Sequence, residues 1–166
     1  MDINSFVIKI IDFLNPVKIF CWIIMKIYSI SKLQNSIHIQ LTEGTPVAFH
    51  LNSEVPTVWL RFEIINGAPL SIEWNEIFLH TLGFGSLTLI TDQIFKSGFL
   101  VNASASKSIF WRLTLTENQR RAVSVALERD KNARVFVEGK TDFYTKLYGR
   151  FSIDFRIQNI IAEVNI

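Results

Sequence analysis

The sequence has little of what would announce a chemistry. Cys21 is the only cysteine in 166 residues, so a disulfide framework is excluded. Charged residues make up only 19% of the chain, which excludes a charge-rich disordered protein. The net charge of +2 is too small for a dedicated nucleic-acid binder, and no nucleic-acid partner is expected. Long hydrophobic runs are missing as well. The longest extends only from Ile19 to Met25, whereas a spanning helix needs about 20 apolar residues. Internal repeats and low-complexity tracts are absent. What is present is a 49% hydrophobic content and 14 phenylalanines, enough to bury a core in one domain with an appendage.

Charge and grease are unevenly spread. Residues 1–33 hold Lys9, Lys18, Lys26 and Lys32 against Asp2 and Asp12, which accounts for the whole net charge. Residues 34–166 are neutral overall. The same first stretch is densely apolar, from Ile3 to Ile30. Two units are therefore expected: an N-terminal arm over 1–33 and a globular domain over 34–166.

Four readings of the arm compete: a spanning helix, a signal peptide, an interfacial helix and a piece of core. Lys9, Asp12, Lys18 and Lys26 interrupt every window long enough to span. A signal peptide carries its positive charge first and ends in small residues. Met1-Asp2 and the stretch from Ser29 to Asn35 offer neither. Asn15-Pro16 reads as an N-cap followed by proline at the first helical position, so a helix is expected to start there. At about 100° per residue, Lys18, Trp22, Lys26, Ser29 and Lys32 share one face. The opposite arc holds Ile19, Phe20, Ile23, Ile24, Ile27 and Ile30. Before the proline, Asp2, Ser5, Lys9 and Asp12 share a face, and a kink or helical hairpin at Asn15-Pro16 would align the two polar stripes. A lysine stripe beside tryptophan, opposite bulky aliphatics, suits an in-plane membrane helix. The same face also suits docking on a protein partner or on a second copy. The expected contact residues are Lys18, Ile19, Phe20, Trp22, Ile23, Ile24, Lys26, Ile27 and Lys32. Lys26 and Lys32 favour the cytosolic side of a membrane.

From Ser36 onward the period changes from helical to alternating. Ser36–Thr42, Val47–Leu51, Val58–Ile64, Leu70–Trp74, Leu87–Ile90, Phe99–Val101, Ile109–Leu115 and Phe151–Ile157 read as strands, separated by turns such as Asn66-Gly67-Ala68-Pro69. One helix interrupts them. Thr116-Glu117-Asn118-Gln119 has the capping-box form, and the helix is expected to end around Asp130–Asn132 as a crossover between sheets. The expected fold is mainly β: an antiparallel immunoglobulin-like β-sandwich with one crossover helix, preceded by an amphipathic arm kinked at Asn15-Pro16.

The order of these elements carries a family resemblance. Trp59-Leu60-Arg61-Phe62-Glu63-Ile64-Ile65-Asn66 is followed by a break with Pro69 and then Leu70-Ser71-Ile72-Glu73. Ala105-Ser106-Lys107-Ser108-Ile109 precedes the helix, and Val135-Phe136-Val137-Glu138-Gly139 and Gly149-Arg150-Phe151 close the chain. Over about residues 36–160 this resembles the water-stress and hypersensitive-response (WHy) domain, found also in atypical late-embryogenesis-abundant (LEA) proteins. The chain has Asn66-Gly67-Ala68-Pro69 where that family usually has Asn-Pro. The resemblance implies a β-sandwich without a catalytic site, in proteins often stress-related or membrane-associated.

A search for catalytic chemistry yields little. His38, His50 and His80 have no metal-ligand spacing. Cys21 lies on the apolar face of the arm and reads as an inert small hydrophobe. Glu73 and Glu76, three apart on a strand, face opposite sides. Gly83-x-Gly85 lacks the third glycine of a phosphate loop, and Gly139-Lys140-Thr141 reads as a hairpin turn. Ser104 and Ser106 lack a nucleophile-elbow context. Tyr144–Arg150 mixes aromatics with cations but reads as residues around a turn. No catalytic residue, metal or cofactor is expected. The expectation is a non-enzymatic binding or scaffolding module at a membrane, or a structural subunit of a larger assembly, which includes a homo-oligomer.

Overall fold

Alternation along β3 (Thr57–Asn66) sets the architecture. Val58, Leu60, Phe62 and Ile64 are fully buried, while Trp59, Arg61, Glu63 and Ile65 face outward. The computed structural model describes residues 15–44, 46–130 and 133–165. In it β3 is the centre of the first sheet. On one side it pairs with β6 (Ala105–Thr114), from Thr57 opposite Thr114 to Asn66 opposite Ala105. On the other side it pairs with two short strands in tandem. β1 (Ile37–Leu41) lies antiparallel to residues 62–66, and β2 (Val47–His50) lies antiparallel to residues 57–60. β1 and β2 are thus one strand line interrupted by a loop. The backbone N–H of Thr42 donates to Arg61 and that of Arg61 to Pro46, so the loop is closed at its neck. β9 (Glu163–Asn165) extends the sheet beyond β2, in parallel.

The second sheet runs β5 (Leu87–Val101), β4 (Ile72–Phe84), β7 (Val135–Thr145), β8 (Gly149–Ile160), all antiparallel. The two sheets pack face to face, with aromatic pairs bridging them. Phe49 meets Phe84, Phe62 meets Phe155, and Phe95 meets Trp111, with ring centroids 5.4, 5.8 and 5.4 Å apart. The fold is the expected β-sandwich.

Among the described residues, three helices accompany the sheets. α1 (Pro16–Ile27) starts where expected: Asn15 caps it by accepting from the Val17 N–H at 3.0 Å, with Pro16 at the first position. α2 (Ile30–Asn35) follows after a break. α3 (Glu117–Arg129) links β6 of one sheet to β7 of the other and carries the expected capping box, with Thr116 and Gln119 bonding reciprocally. The residues before Asn15, and with them the relation of the two polar stripes across the proline, lie outside the described residues.

Four readings differ from the sequence. The arm is not one helix to Leu33. Tyr28 is extended, and Ser29 caps a new helix by accepting from the Lys32 N–H at 3.3 Å. Leu33, expected at the end of the arm, is fully buried in the core. Gly139-Lys140-Thr141 is not a hairpin turn but the middle of β7, where Leu79, Phe78 and Ile77 stand opposite. Leu87–Ile90 and Phe99–Val101 are one strand. The stretch between them breaks the apolar pattern because β5 is a sheet edge, and most of its residues from 91 to 98 are exposed.

Candidate functional site

α1 is helical by its own sequence but packs little of itself away. None of its residues is buried, and Phe20, Trp22 and Ile27 are 63%, 55% and 64% exposed. Val17, Ile19, Ile23 and Met25 are exposed too, while Cys21 and Ile24 are half-covered. A 12-residue helix is marginal in water on its own unless packing supports it. No helix among the described residues is long and apolar enough to cross a membrane.

The lysines are arranged in two ways. Lys26 places its ammonium 4.7 Å from the Trp22 ring centroid, a cation–π contact one turn apart on α1. Lys32 is not on that helix. From α2 it folds back and donates to the Ile27 carbonyl at 3.2 Å, placing a cation on the last turn of α1. Ile30 is exposed beside the break.

The break itself is held by the sandwich. The Tyr148 hydroxyl, in the β7–β8 turn, donates to the Tyr28 carbonyl, and the Tyr28 hydroxyl is bonded to Ser36 Oγ. Burial, with Tyr28 close by, raises the Tyr148 phenol above its ordinary range. Gln34 Nε2 donates to the Ser152 carbonyl at 3.2 Å. Sequence reading missed this link, because no local pattern joins Tyr28 to a residue so far along the chain. The basic-aromatic turn Tyr144–Arg150 was visible, but its neighbour was not.

The three histidines do not gather. His38 and His50 stand on β1 and β2 near opposite ends of β3, and His80 is on the other sheet. His50 lies tilted against Trp59 with ring centroids 4.1 Å apart, and His80 lies edge-on to Phe78 at 4.7 Å. Glu76 pairs with Lys96 across the β4–β5 ladder. Among the described residues, no three His, Cys, Asp or Glu side chains come close enough to hold a metal ion. At the far end of the sandwich, an open groove of about 700 Å³ lies between α3 and the β4–β5 turn, floored by Leu87, Ala122 and Ala126 with Arg121 and Arg129 on its sides.

With the geometry in view, comparison with solved structures decides the fold. The sandwich is similar to AT1g01470 from Arabidopsis thaliana, with a TM-score of 0.55 and 13% identity over 78% of this chain and 86% of that one. The chain has an LEA/WHy-like fold. A candidate LEA protein, At2g46140.1, is similar at a TM-score of 0.44 and 12% identity, covering 93% of this chain and 89% of that one. A protein from Archaeoglobus fulgidus gives 0.48 and 11%, covering 74% and 91%. No family profile matches the sequence, and no curated protein matches it. α1 has no buried residue and is not part of the sandwich core.

Proposed function

We propose that the protein is a non-enzymatic β-sandwich binding module held at a membrane surface by α1. One observation carries this reading: a chain with a complete core presents a helix with no buried residue, apolar on one face and lysine-bearing on the other. Val17, Phe20, Ile23 and Ile27 enter the acyl boundary while Lys18 and Lys26 stay at the headgroups, with Trp22 between the two levels. Each cation near an anionic surface adds about 1 kcal/mol. Because α1 is short, it lies in the interface rather than across it.

Vesicle co-sedimentation tests the reading with the full chain. Phe20→Glu together with Ile23→Glu is expected to abolish pelleting with anionic vesicles. Pelleting that survives both changes would refute the anchor. A discrete oligomer in detergent-free buffer that dissolves on Ile23→Glu would instead favour docking of α1 on a second copy or a partner subunit.

A further inference from the structure

The domain beyond the arm is neutral in sum, but two of its cations lie at the end from which the arm leaves. Ile37, Asn66 and Ala105 stand in register at one end of the first sheet. At the same end of the second sheet Ile72 is opposite Val101, and the β7–β8 turn closes from Thr145 to Gly149. Asn66 ties the two ends together by donating to the Val101 and Asn102 carbonyls. The segments that form this end are residues 15–36, 66–71, 102–104 and 144–150. They contain Lys18, Lys26, Lys32, Lys146 and Arg150, and no aspartate or glutamate. The opposite end mixes signs, with Glu54, Glu117, Glu128 and Asp130 among Arg120, Arg121, Arg129 and Arg134.

We infer that the cationic end of the sandwich is a second contact with the same anionic lipid surface, made by the β7–β8 turn through Lys146 and Arg150. The inference rests on the membrane reading of α1 and adds an orientation to it. Tyr148 is bonded to Tyr28, so the turn sits at the point where α1 leaves the body and cannot be far from whatever α1 lies on. Lys146 and Arg150 are exposed, and Tyr144 is 37% exposed, an aromatic suited to the headgroup level. The carboxylates nearest this end lie on the strands behind it, not in the segments that form it. Glu73 stands across the ladder from Tyr144, and Glu63 is held by Ser106 and Gln40 on the other sheet. The sandwich then stands with its cationic end on the membrane and its α3 end, with the open groove, directed away.

Binding of the full chain to phosphatidylcholine vesicles with and without phosphatidylserine tests this. Lys146→Gln with Arg150→Gln is expected to weaken binding to the anionic vesicles about thirty-fold, the product of two contributions of about 1 kcal/mol each. Arg134→Gln, at the other end of β7, is expected to leave it unchanged. An unchanged thermal midpoint in each variant shows that the loss is not one of folding. Wild-type binding that the double change does not weaken would overturn the second contact while leaving the α1 anchor standing. No binding by the wild type would overturn both. A loss equally large on neutral vesicles would also overturn the inference, since charge would not be its cause.

Discussion

The side-chain amide of Asn66 donates to the backbone carbonyl of Asn102 at 2.9 Å, joining the end of β3 to the turn between β5 and β6. Asn66 is fully buried. Its amide nitrogen also reaches the carbonyls of Leu70 and Val101, and its oxygen accepts from the Ala68 N–H at 3.1 Å. One side chain thus satisfies the backbone of both crossovers at this end, from β3 to β4 and from β5 to β6. The departure from the Asn-Pro pattern, Asn66-Gly67-Ala68-Pro69, keeps the asparagine and with it this junction.

Asn66→Ala is expected to lower stability by about 2–4 kcal/mol, since it removes the bonds and strands buried carbonyls without partners. Asn66→Asp is expected to cost as much or more, because a carboxylate accepts but cannot donate. Urea unfolding midpoints check both. A change under about 0.5 kcal/mol for Asn66→Ala would show that the carbonyls find other partners.

A second buried polar chain lies in the other sheet. Trp74 Nε1 donates to Thr141 Oγ1 at 2.7 Å, and Thr141 donates onward to the Glu76 carbonyl at 2.8 Å. Thr141→Val keeps the shape and removes the hydroxyl, leaving an indole N–H buried and unpaired. A loss of about 1–3 kcal/mol is expected, with Thr141→Ser losing less because the hydroxyl remains. Equal losses from the two changes would mean that the methyl group, not the bond, matters.

Gly139 is a steric requirement of the β4–β7–β8 layer. A Cβ there would stand 2.5 Å from the Phe78 carbonyl oxygen and 2.7 Å from the Phe155 ring. Phe155 lies opposite Gly139 in the ladder and carries the inter-sheet contact to Phe62. Gly139→Ala is therefore expected to destabilise by about 1–3 kcal/mol through overpacking. Pairing it with Phe155→Leu is expected to recover part of the loss, which a double-mutant cycle would measure.

Acid reaches α3 through Glu117. Arg120 bonds its carboxylate at 2.6 and 2.7 Å and Arg121 at 3.1 Å, and these bonds hold it well below the ordinary 4.5, at about 2. A carboxylate with a depressed folded-state value stabilises the fold above its unfolded value, and this contribution is lost as pH falls through the folded one. The gap in thermal midpoint between wild type and Glu117→Gln is expected to be full above about pH 4.5 and to close towards pH 2. A gap that stays constant over that range would rule out the ion pairs as its source.

Local patterns carried much of this structure. Asn15-Pro16 and Thr116-x-x-Gln119 start helices because the bonds they make lie within a few residues of chain. The alternation in β3, β6 and β8 places their cores because a strand's faces follow from parity alone. The resemblance carried by Trp59–Asn66 and Ala105–Ile109 indicated the sandwich for the same reason. Sequence alone also separated the basic, apolar arm from a neutral domain.

Tertiary structure decided what depends on distant partners. Sequence period could not break the arm at Tyr28-Ser29, since the hydroxyl that holds Tyr28 comes from Tyr148. Nor could it assign Leu33 to the core, align β1 and β2 on one strand, or set Thr141 under Trp74. The cationic end is the clearest case. Its charges come from segments more than a hundred residues apart, and the strand registers together with the Tyr148–Tyr28 bond bring those segments to one end. A net charge is a sum along the chain, whereas a surface potential depends on where the fold puts each term.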